Sequence, residues 1–552
     1  MRGATKLTGL ALGALAGALL PAGAGAADDG DTPQVFRYHN GGYDQAASLA
    51  VDGAGNAYIG GAVDSAGSGI TFAVVKLSPS GTPLWTAHYN GSRGGVGGSA
   101  LAVTVDSAGN VYAAGSIGDG SHYPNFDYLV VGFGPDGAQR WAQRHNGPGD
   151  GFDRATEIAA DASGVYVSGT SYTPSPSFTF DWSTRKYSAS GEPLWERRHL
   201  GNGTTADRVA DLALTPDGNV VVTGITQNLD NKWATDIGTV TYDPNGAVVW
   251  QRRWTDSGGG SGEPRDMDLD AAGRITITGT VGLFPPTPVT LRYDRAGALL
   301  QQIRSDGGAA VDVTDAGDFY VAGFFREQPG SAFLTRYDAS GVRSWATPLS
   351  MPDNETFLPV TVAVDSAGVV TTAGTARNVS THNDDYLVIR YAPDGRELWR
   401  YRFHGVDERD DRVAGLAIDG AGNALVTGTS WNGYLSKYER GTADDIVTLR
   451  FAAGSAASLV APNGLTATGI SRSQIRLTWN DGAGTEDGFR IERCQGNGCA
   501  DFAAVATVGH DVTTYTDGGL LPNTQYTYRV RAFNANGVSA YSNTATGKTR
   551  RR

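Results

Sequence analysis

The stretch Asp52-Gly-Ala-Gly55-Asn56-Ala-Tyr58-Ile59 joins two short apolar runs through a turn that ends in glycine. A close copy, Asp106-Ser-Ala-Gly109-Asn110-Val-Tyr112, follows 54 residues later. Similar turns recur along the chain, with their glycines at Gly55, Gly109, Gly164, Gly218, Gly273, Gly317, Gly368 and Gly422. The intervals are 54, 55, 54, 55, 44, 51 and 54 residues. A period of this size predicts an array of supersecondary units that bury their apolar faces against one another.

Each unit has a second half, which consists of another apolar strand, a polar turn and usually a tryptophan. The third unit reads Tyr187-Ser-Ala-Ser-Gly191-Glu-Pro-Leu-Trp195, and in the fifth unit Gln301 replaces the tryptophan. Tight glycine turns join antiparallel neighbours. One unit is therefore predicted to be four short antiparallel strands, which is the blade of a β-propeller.

The two ends of the repeat array complement each other. The last unit stops after Asp445-Ile-Val-Thr-Leu-Arg-Phe451, with no tryptophan strand behind it. The missing strand is found near the N-terminus, where Val35-Phe-Arg-Tyr-His-Asn40-Gly41 resembles Trp141-Ala-Gln-Arg-His-Asn146-Gly147. We expect this segment to complete the last sheet and close the ring, which removes open sheet edges. The predicted fold class is all-β, an eight-bladed propeller. Seven blades are the alternative if the sixth unit is an insertion.

The Asp-x-x-Gly-Asn-x-Tyr and Gly-x-x-x-Trp turns resemble those of the bacterial β-propeller repeats called SBBP repeats, over about residues 35–452. That family is described as seven-bladed, whereas eight units are counted here. The resemblance implies a scaffold and supplies no catalytic residues.

A second domain is predicted after a small-residue linker, so that residues 33–452 form the propeller, 453–461 the linker and 462–549 the last domain. The last domain resembles a fibronectin type III domain, with Trp479 as its core tryptophan and Tyr526 as its corner tyrosine. The chain has two cysteines, Cys494 and Cys499. A local disulfide is the expectation for an exported protein.

Residues 1–26 have the features of a secretory signal peptide, with basic Arg2 and Lys6, an apolar run and an Ala-x-Ala site ending at Ala26. We therefore predict a secreted, extracellular protein without a membrane anchor, with the periplasm as an alternative location. The net charge is −13. Proteins that bind nucleic acids usually carry an excess of basic residues, so this charge argues against nucleic-acid binding. The chain is predicted to be a monomer.

A binding surface is predicted at one end of the repeats. In a four-stranded unit, the tight turns join strands one to two and three to four, and the longer, variable connections all lie at the opposite end. We call the end with the longer connections the long-loop face. Function favours variable loops on a rigid scaffold. The candidate ligand-binding residues on this face are Tyr123, Trp182, Trp233, Trp431, Asp153, Asp207 and Asp411. Aromatic rings beside carboxylates suit sugars, but the same rings could simply pack the loops.

Two acidic positions recur in register. The first includes Asp44, Asp153, Asp207 and Asp411, and the second includes Asp127, Asp181, Asp236, Asp385 and Asp445. Thr71, Thr287 and Ser331 replace aspartate at the second position. Because all three residue types accept hydrogen bonds from nearby amides, the pattern favours a structural role. Calcium binding is the alternative, although threonine and serine weaken it. His145 and His199 share a register with tyrosine, tryptophan and phenylalanine, which indicates packing rather than metal binding.

The sequence therefore predicts a secreted, non-enzymatic interaction or scaffold protein that binds a glycan or a protein through the long-loop face. The alternative is a secreted carbohydrate-active enzyme, a hydrolase or lyase, that uses acidic residues on the same face. No catalytic residue and no cofactor is predicted, apart from the open question of calcium.

Overall fold

The computed structural model describes residues 33–551, apart from short internal segments. Residues 1–26, the predicted signal peptide, and Tyr123 lie outside the described residues. The omitted internal segments are 40–41, 66–68, 90–96, 119–124, 150, 175–178, 200–206, 232, 283–286, 305–307, 325–331, 350, 352–354, 379, 382, 406–409, 435–441, 454–460, 482–485, 487, 497, 511 and 535–536.

Within these described residues, the repeats form eight antiparallel sheets of four strands each. The N-terminal strand is β1 (Gln34–Tyr38). The first three sheets comprise β2 (Asp44–Val51), β3 (Ala57–Ser65), β4 (Gly69–Leu77) and β5 (Pro83–Tyr89); β6 (Gly98–Val105), β7 (Val111–Gly118), β8 (Phe126–Phe133) and β9 (Gln139–His145); and β10 (Arg154–Asp161), β11 (Gly164–Thr173), β12 (Thr179–Tyr187) and β13 (Pro193–His199). The next three comprise β14 (Arg208–Leu214), β15 (Val220–Gln227), β16 (Thr235–Tyr242) and β17 (Val248–Trp254); β18 (Gly262–Leu269), β19 (Ile275–Val281), β20 (Thr287–Tyr293) and β21 (Leu299–Ile303); and β22 (Gly308–Val313), β23 (Phe319–Phe324), β24 (Ala332–Tyr337) and β25 (Arg343–Leu349). The seventh sheet comprises β26 (Glu355–Val364), β27 (Val370–Asn378), β28 (Asp384–Tyr391) and β29 (Glu397–Phe403), and the eighth begins with β30 (Asp411–Ile418), β31 (Ala424–Tyr434) and β32 (Thr442–Phe451).

The N-terminal strand completes the eighth sheet, as predicted. β1 pairs with β32 in antiparallel register from Gln34 opposite Arg450 to Tyr38 opposite Ile446. The sixth unit, which the sequence left open as an insertion, forms a complete sheet of its own, β22 to β25. Its shorter spacing therefore reflects shorter strands and connections.

A repeated aspartate explains the first turn of six of the eight units, and Thr215 and Thr314 take its place in the fourth and sixth. Asp52 Oδ1 accepts hydrogen bonds from the amides of Ala54 and Asn56 at 3.0 and 2.9 Å. Its Oδ2 accepts from Asn56 Nδ2 at 2.7 Å and from the Tyr58 hydroxyl at 2.9 Å. Gly55 takes a φ of +79°, which a side chain would disfavour. The Asp-x-x-Gly-Asn-x-Tyr motif is thus one hydrogen-bonded network that fixes the turn.

The second recurring motif joins one sheet to the next. Trp85 Nε1 donates to the carbonyl of Pro135 in the following sheet at 3.0 Å. A Cβ on Gly137 would lie 2.7 Å from Cδ2 of the Trp85 ring, so the preceding tryptophan requires glycine there. Phe36 of β1 occupies the same position against Gly81 of the first sheet. The other pairs are Trp141 with Gly191, Trp195 with Gly246, Trp250 with Gly297, Gln301 with Gly341 and Trp345 with Gly395.

The first strands of the sheets contact one another in sequence, and β30 of the eighth sheet contacts β2 of the first. Each first strand carries a β-bulge, for example between Ala155 and Glu157 and between Pro264 and Asp266. A bulge bends a strand and redirects the side chains beside it. It therefore breaks the simple inward and outward alternation on which sequence patterns rely.

The C-terminal domain is a sandwich of two antiparallel sheets. One holds β33 (Asn463–Gly469), β34 (Ile475–Asn480) and β37 (Thr514–Asp517), and the other holds β35 (Gly488–Gln495), β36 (Ala503–Gly509), β38 (Gln525–Asn534), β39 (Gly537–Val538) and β40 (Ala545–Lys548).

Both marker residues of this domain lie where the sequence predicted them. Trp479 is buried against Phe489, and the Tyr526 hydroxyl accepts a hydrogen bond from the Leu521 amide at 3.1 Å. The predicted disulfide between Cys494 and Cys499 is also present.

Candidate functional site

The aspartates at the start of the units hold the long-loop face together. Asp153 is completely buried, and its two oxygens accept hydrogen bonds from the Gly147 amide at 2.6 Å and the Tyr172 amide at 2.9 Å. Asp207 accepts from the Gln227 amide at 2.9 Å, and Asp411 accepts from the Gly405 amide. Burial raises the pKa of Asp207 to about 6 and that of Asp411 to about 7. These contacts support the structural role predicted for this position.

The third-strand aspartates have cationic partners on the fourth strand. In the first sheet, where Thr71 replaces aspartate, His88 stands at the arginine position and lies 3.2 Å from its hydroxyl. Each aspartate thus has a protein cation beside it, which favours the structural interpretation over calcium. The pairs are Arg37 with Asp445, Arg144 with Asp127, Arg198 with Asp181, Arg253 with Asp236 and Arg402 with Asp385.

One cluster near this face has the residue types of a metal site. Ligand atoms of His39, Asp44 and Asp445 lie within 4.8 Å of one another. Arg37 already lies 2.6 Å from Asp445, and His39 Nδ1 lies 2.6 Å from its other oxygen. A divalent cation would have to displace this ion pair, so the geometry favours a salt-bridged junction between β1 and β32.

The three predicted aromatic site residues that the structure describes differ in their surroundings. Trp182 is only 1% exposed, because it lies within β12 and not in a loop, so its placement in a loop was wrong. Trp233 is 82% exposed in the connection between β15 and β16, whereas Trp431 is half-buried within β31. His199 packs 4.7 Å from the Trp182 ring, and burial lowers its pKa, as expected for a packing position.

A pocket of about 470 Å³ opens on the long-loop face between the second, third and fourth sheets. Phe126 and Phe152 stack at 5.6 Å on one wall, and Phe152 is 48% exposed. Phe180 packs edge-on to Tyr172 at 5.8 Å. The other lining residues are Ser116, Asp153, Arg154, Thr170 and Arg208. Arg154 and Arg208 are exposed and have no ion pair with any described residue. The pocket therefore combines phenylalanine rings with two available guanidinium groups.

Sequence reasoning missed most of this pocket while identifying its neighbours. Phe152 and Arg154 flank Asp153, and Arg208 follows Asp207. Successive side chains of an extended segment point to opposite sides. Since the aspartates turn inward to bind amides, the residues beside them turn toward solvent. That alternation was the signal that could have identified the pocket.

A second cavity, of about 450 Å³, lies among the first strands. Its lining includes Leu49, Leu101, Ile158, Asp266, Ala309, Thr361 and Leu416, which belong to seven different sheets. We call it the inner cavity. Glu157 and Asp266 line it, and both are half-buried. Its acidic side chains were not among the predicted site residues.

Carboxylates around the inner cavity join successive sheets. Asp211 Oδ2 accepts from the Met267 amide at 2.8 Å, and Asp266 Oδ2 accepts from the Val311 amide at 2.7 Å. Asp268 and Asp312 accept in the same way from Val313 and Val364, at 2.7 and 2.6 Å. Burial raises the pKa of Asp266 to about 6. Burial, reinforced by the charge of Asp266, raises the pKa of Glu157 to about 8.

The raised pKa of Glu157 predicts that stability falls as pH rises. Its carboxyl is easier to ionise in the unfolded chain, where the pKa is about 4.3. The folded state is thus favoured below about pH 4, and that advantage is lost between about pH 4 and 8. We expect Glu157→Gln to be more stable than the parent at pH 8 by on the order of 2 kcal/mol, a value reduced because Glu157 is only half-buried. Chemical denaturation at pH 4 and pH 8 measures this.

The matched control is Glu192→Gln, which makes the same change at an exposed turn. Its stability should follow that of the parent protein at both pH values. Asp211, Asp266 and Arg265 also face this region, so part of the pH dependence should remain in Glu157→Gln. A variant less stable than the parent at pH 8 would refute the assignment.

The comparisons with known proteins identify the C-terminal domain. The family model for the fibronectin type III domain matches residues 460–548, so this part of the chain is such a domain. No curated protein matches the chain. A solved Fn3-like protein from Clostridium thermocellum is 28% identical over 17% of this chain and 94% of its own, with a TM-score of 0.15. The FN5 domain of Drosophila Lar is 22% identical over 16% and 96%, with a TM-score of 0.15.

One structural similarity extends over the repeats. A crystal structure of the eukaryotic initiation factor covers 64% of this chain and 77% of its own, at 12% identity and a TM-score of 0.38. A TM-score this low supports no conclusion on function. The fold and the family match together define an all-β protein of repeated four-stranded sheets followed by a fibronectin type III domain.

Proposed function

We propose that this chain is a secreted, non-enzymatic interaction protein that binds an extracellular glycan or protein through the pocket on the long-loop face. The observation that carries this proposal is the pocket itself, which joins a half-exposed phenylalanine stack to two arginines without ion-pair partners among the described residues. Its volume is within the range of about 300–1,000 Å³ that is typical of ligand sites.

The scaffold behind this site is, in this proposal, a closed eight-bladed β-propeller of the SBBP type. Three observations support closure. β30 contacts β2, Phe36 of the last sheet lies against Gly81 of the first, and the inner cavity is lined from seven first strands. Closure matters for binding because a ring holds the loops of neighbouring sheets in fixed positions without exposed edges.

Export is also part of the proposal. The sequence features of residues 1–26 support it, as do the disulfide and the fibronectin type III domain. In the part of the chain that the structure describes, no helix is both long enough and apolar enough to cross a membrane.

The enzymatic alternative has less support from the geometry. Asp153, Asp207 and Asp411 are buried, and backbone amides engage each of them. A glycosidase needs two carboxyl groups that flank the scissile bond of a bound sugar. The predicted acidic residues of this face serve the scaffold instead.

Phe152→Ala tests the proposed site. The full mature protein and the variant would be compared on arrays of glycans and of synthetic peptides. We expect at least one class of ligand to bind the parent protein and to bind the variant about tenfold more weakly, as expected for a stacking anchor. Leu194→Ala is the matched control, since Leu194 is also 48% exposed but lies beside a tight turn at the opposite end. Ligands that respond to Leu194→Ala and not to Phe152→Ala would show that the wrong surface was chosen.

A further inference from the structure

We infer that the pocket on the long-loop face recognises an acidic polypeptide segment in which an apolar side chain lies between two carboxylates. This inference rests on the proposed function and specifies the chemistry of the partner. It depends on what lines the pocket, on which polar groups there are already engaged, and on the charge at its rim.

The rings of the pocket favour an apolar side chain over a sugar. Phe126, Phe152 and Phe180 offer no polar atom to a ligand. Of the uncharged or acidic polar lining groups, Asp153 is fully buried and binds two backbone amides, Ser116 is only 6% exposed, and the half-buried Thr170 is left as the one accessible hydroxyl among the described lining residues. A sugar would bring many hydroxyl groups into a site with few partners for them, which costs free energy for each unpaired group. An aliphatic or aromatic side chain has no such requirement.

The charge of the rim favours an acidic partner. Arg154 begins β10 and Arg208 begins β14, so the two guanidinium groups come from adjacent sheets. Both are exposed, and neither forms an ion pair with the described residues, although the chain as a whole carries a net charge of −13. Arginine binds carboxylates through paired, charge-assisted hydrogen bonds.

Two arginines on separate strands can bind two carboxylates. A single chain terminus would supply only one carboxylate, whereas a segment with acidic residues on both sides of an apolar residue supplies two. The apolar side chain would then enter between Phe152 and Phe180, while the flanking carboxylates meet Arg154 and Arg208. Both arginines already face solvent and are exposed to a ligand.

The experiment uses the full mature protein and seven-residue peptides with blocked termini. Their central residues are Glu-x-Glu, Gln-x-Gln or Lys-x-Lys, where x is phenylalanine, leucine or glycine. We expect the Glu-x-Glu peptides with phenylalanine or leucine to bind, and to bind more weakly as salt is raised. The double variant Arg154→Gln/Arg208→Gln should weaken this binding at least tenfold. Arg476→Gln, at an exposed site of the C-terminal domain, should leave it unchanged.

A second binding measurement uses an oligomeric polyuronate, which is an acidic glycan. It distinguishes a failure of this inference from a failure of the proposed function. If the polyuronate binds and loses affinity in Phe152→Ala while the peptides do not bind, the partner is a glycan. The inference is then overturned and the proposed function stands. Equal peptide affinity in the parent and the double arginine variant also overturns the inference. If no glycan and no peptide responds to either pocket variant, both the inference and the proposed function fail. Thermal melting of each variant identifies any loss of folding.

Discussion

A chain that begins at residue 42 should be less stable than one that begins at residue 33 by at least about 5 kcal/mol, and it should aggregate. The shorter chain lacks β1, the fourth strand of the eighth sheet. Its loss breaks the ion pair between Arg37 and Asp445, and an intramolecular hydrogen bond to a charged group contributes about 1.5–3 kcal/mol. The backbone ladder with β32 and the packing of Phe36 against Gly81 are lost as well.

Aggregation is expected because β32 becomes an open edge, and an unpaired strand edge can pair with another chain. Thermal melting and light scattering at several protein concentrations measure the two effects. The chain that begins at residue 33 is the control, since it keeps β1 and differs only by those nine residues. An unchanged melting temperature in the shorter chain would contradict the role of β1 and, with it, the proposed closure of the ring.

Much of the repeat architecture could be predicted because its signals are local. The aspartate and the glycine of the first turn lie within seven residues of the tyrosine that completes the hydrogen-bond network. A short sequence motif is therefore enough to predict this turn. The last unit lacks a fourth strand, and the N-terminal segment resembles one. This match placed β1 in the last sheet, even though His39 and its partner Asp445 are 406 residues apart in the sequence. In the C-terminal domain, the tryptophan, the corner tyrosine and the disulfide are likewise local signals.

The function of the second glycine turn was not evident from the sequence. Gly137 has a positive φ of +77°, which a turn alone would explain. The structure adds a second reason, since Trp85 of the preceding sheet fills the space where a side chain would stand. This contact joins residues that are about one repeat apart in the sequence. It therefore cannot be predicted from the motif of a single unit.

The candidate site was predicted less well, for two physical reasons. The recurring aspartates were predicted to bind a ligand, yet their oxygens point toward backbone amides, so their neighbours Phe152 and Arg154 form the surface instead. The bulge in each first strand then breaks the alternation that would have placed Glu157 and Asp266 on the inner cavity. Both effects depend on which way a side chain turns, and composition and spacing do not determine that.

Trp182 illustrates the difference between a loop residue and a core residue. β12 begins at Thr179, so Trp182 is already the fourth residue of a strand. Its ring packs against the fourth sheet, where a Cβ on Gly224 would lie 2.7 Å from Cζ2 of the tryptophan. Its Nε1 donates to the Ile225 carbonyl at 3.0 Å. The glycine of one sheet and the tryptophan of the previous one thus form a single packed contact.

Trp182→Ala should therefore destabilise the protein by about 3–5 kcal/mol, the usual cost of truncating a buried tryptophan. The cavity left between the third and fourth sheets accounts for most of this loss, and the lost hydrogen bond from Nε1 to the Ile225 carbonyl adds to it. Trp233→Ala is the matched control, since Trp233 is 82% exposed and its truncation should change stability by less than about 0.5 kcal/mol. Chemical denaturation of both variants makes the comparison. If Trp182→Ala instead melted with the parent protein and lost only ligand binding, Trp182 would be a surface anchor and the packing described for β12 would be wrong.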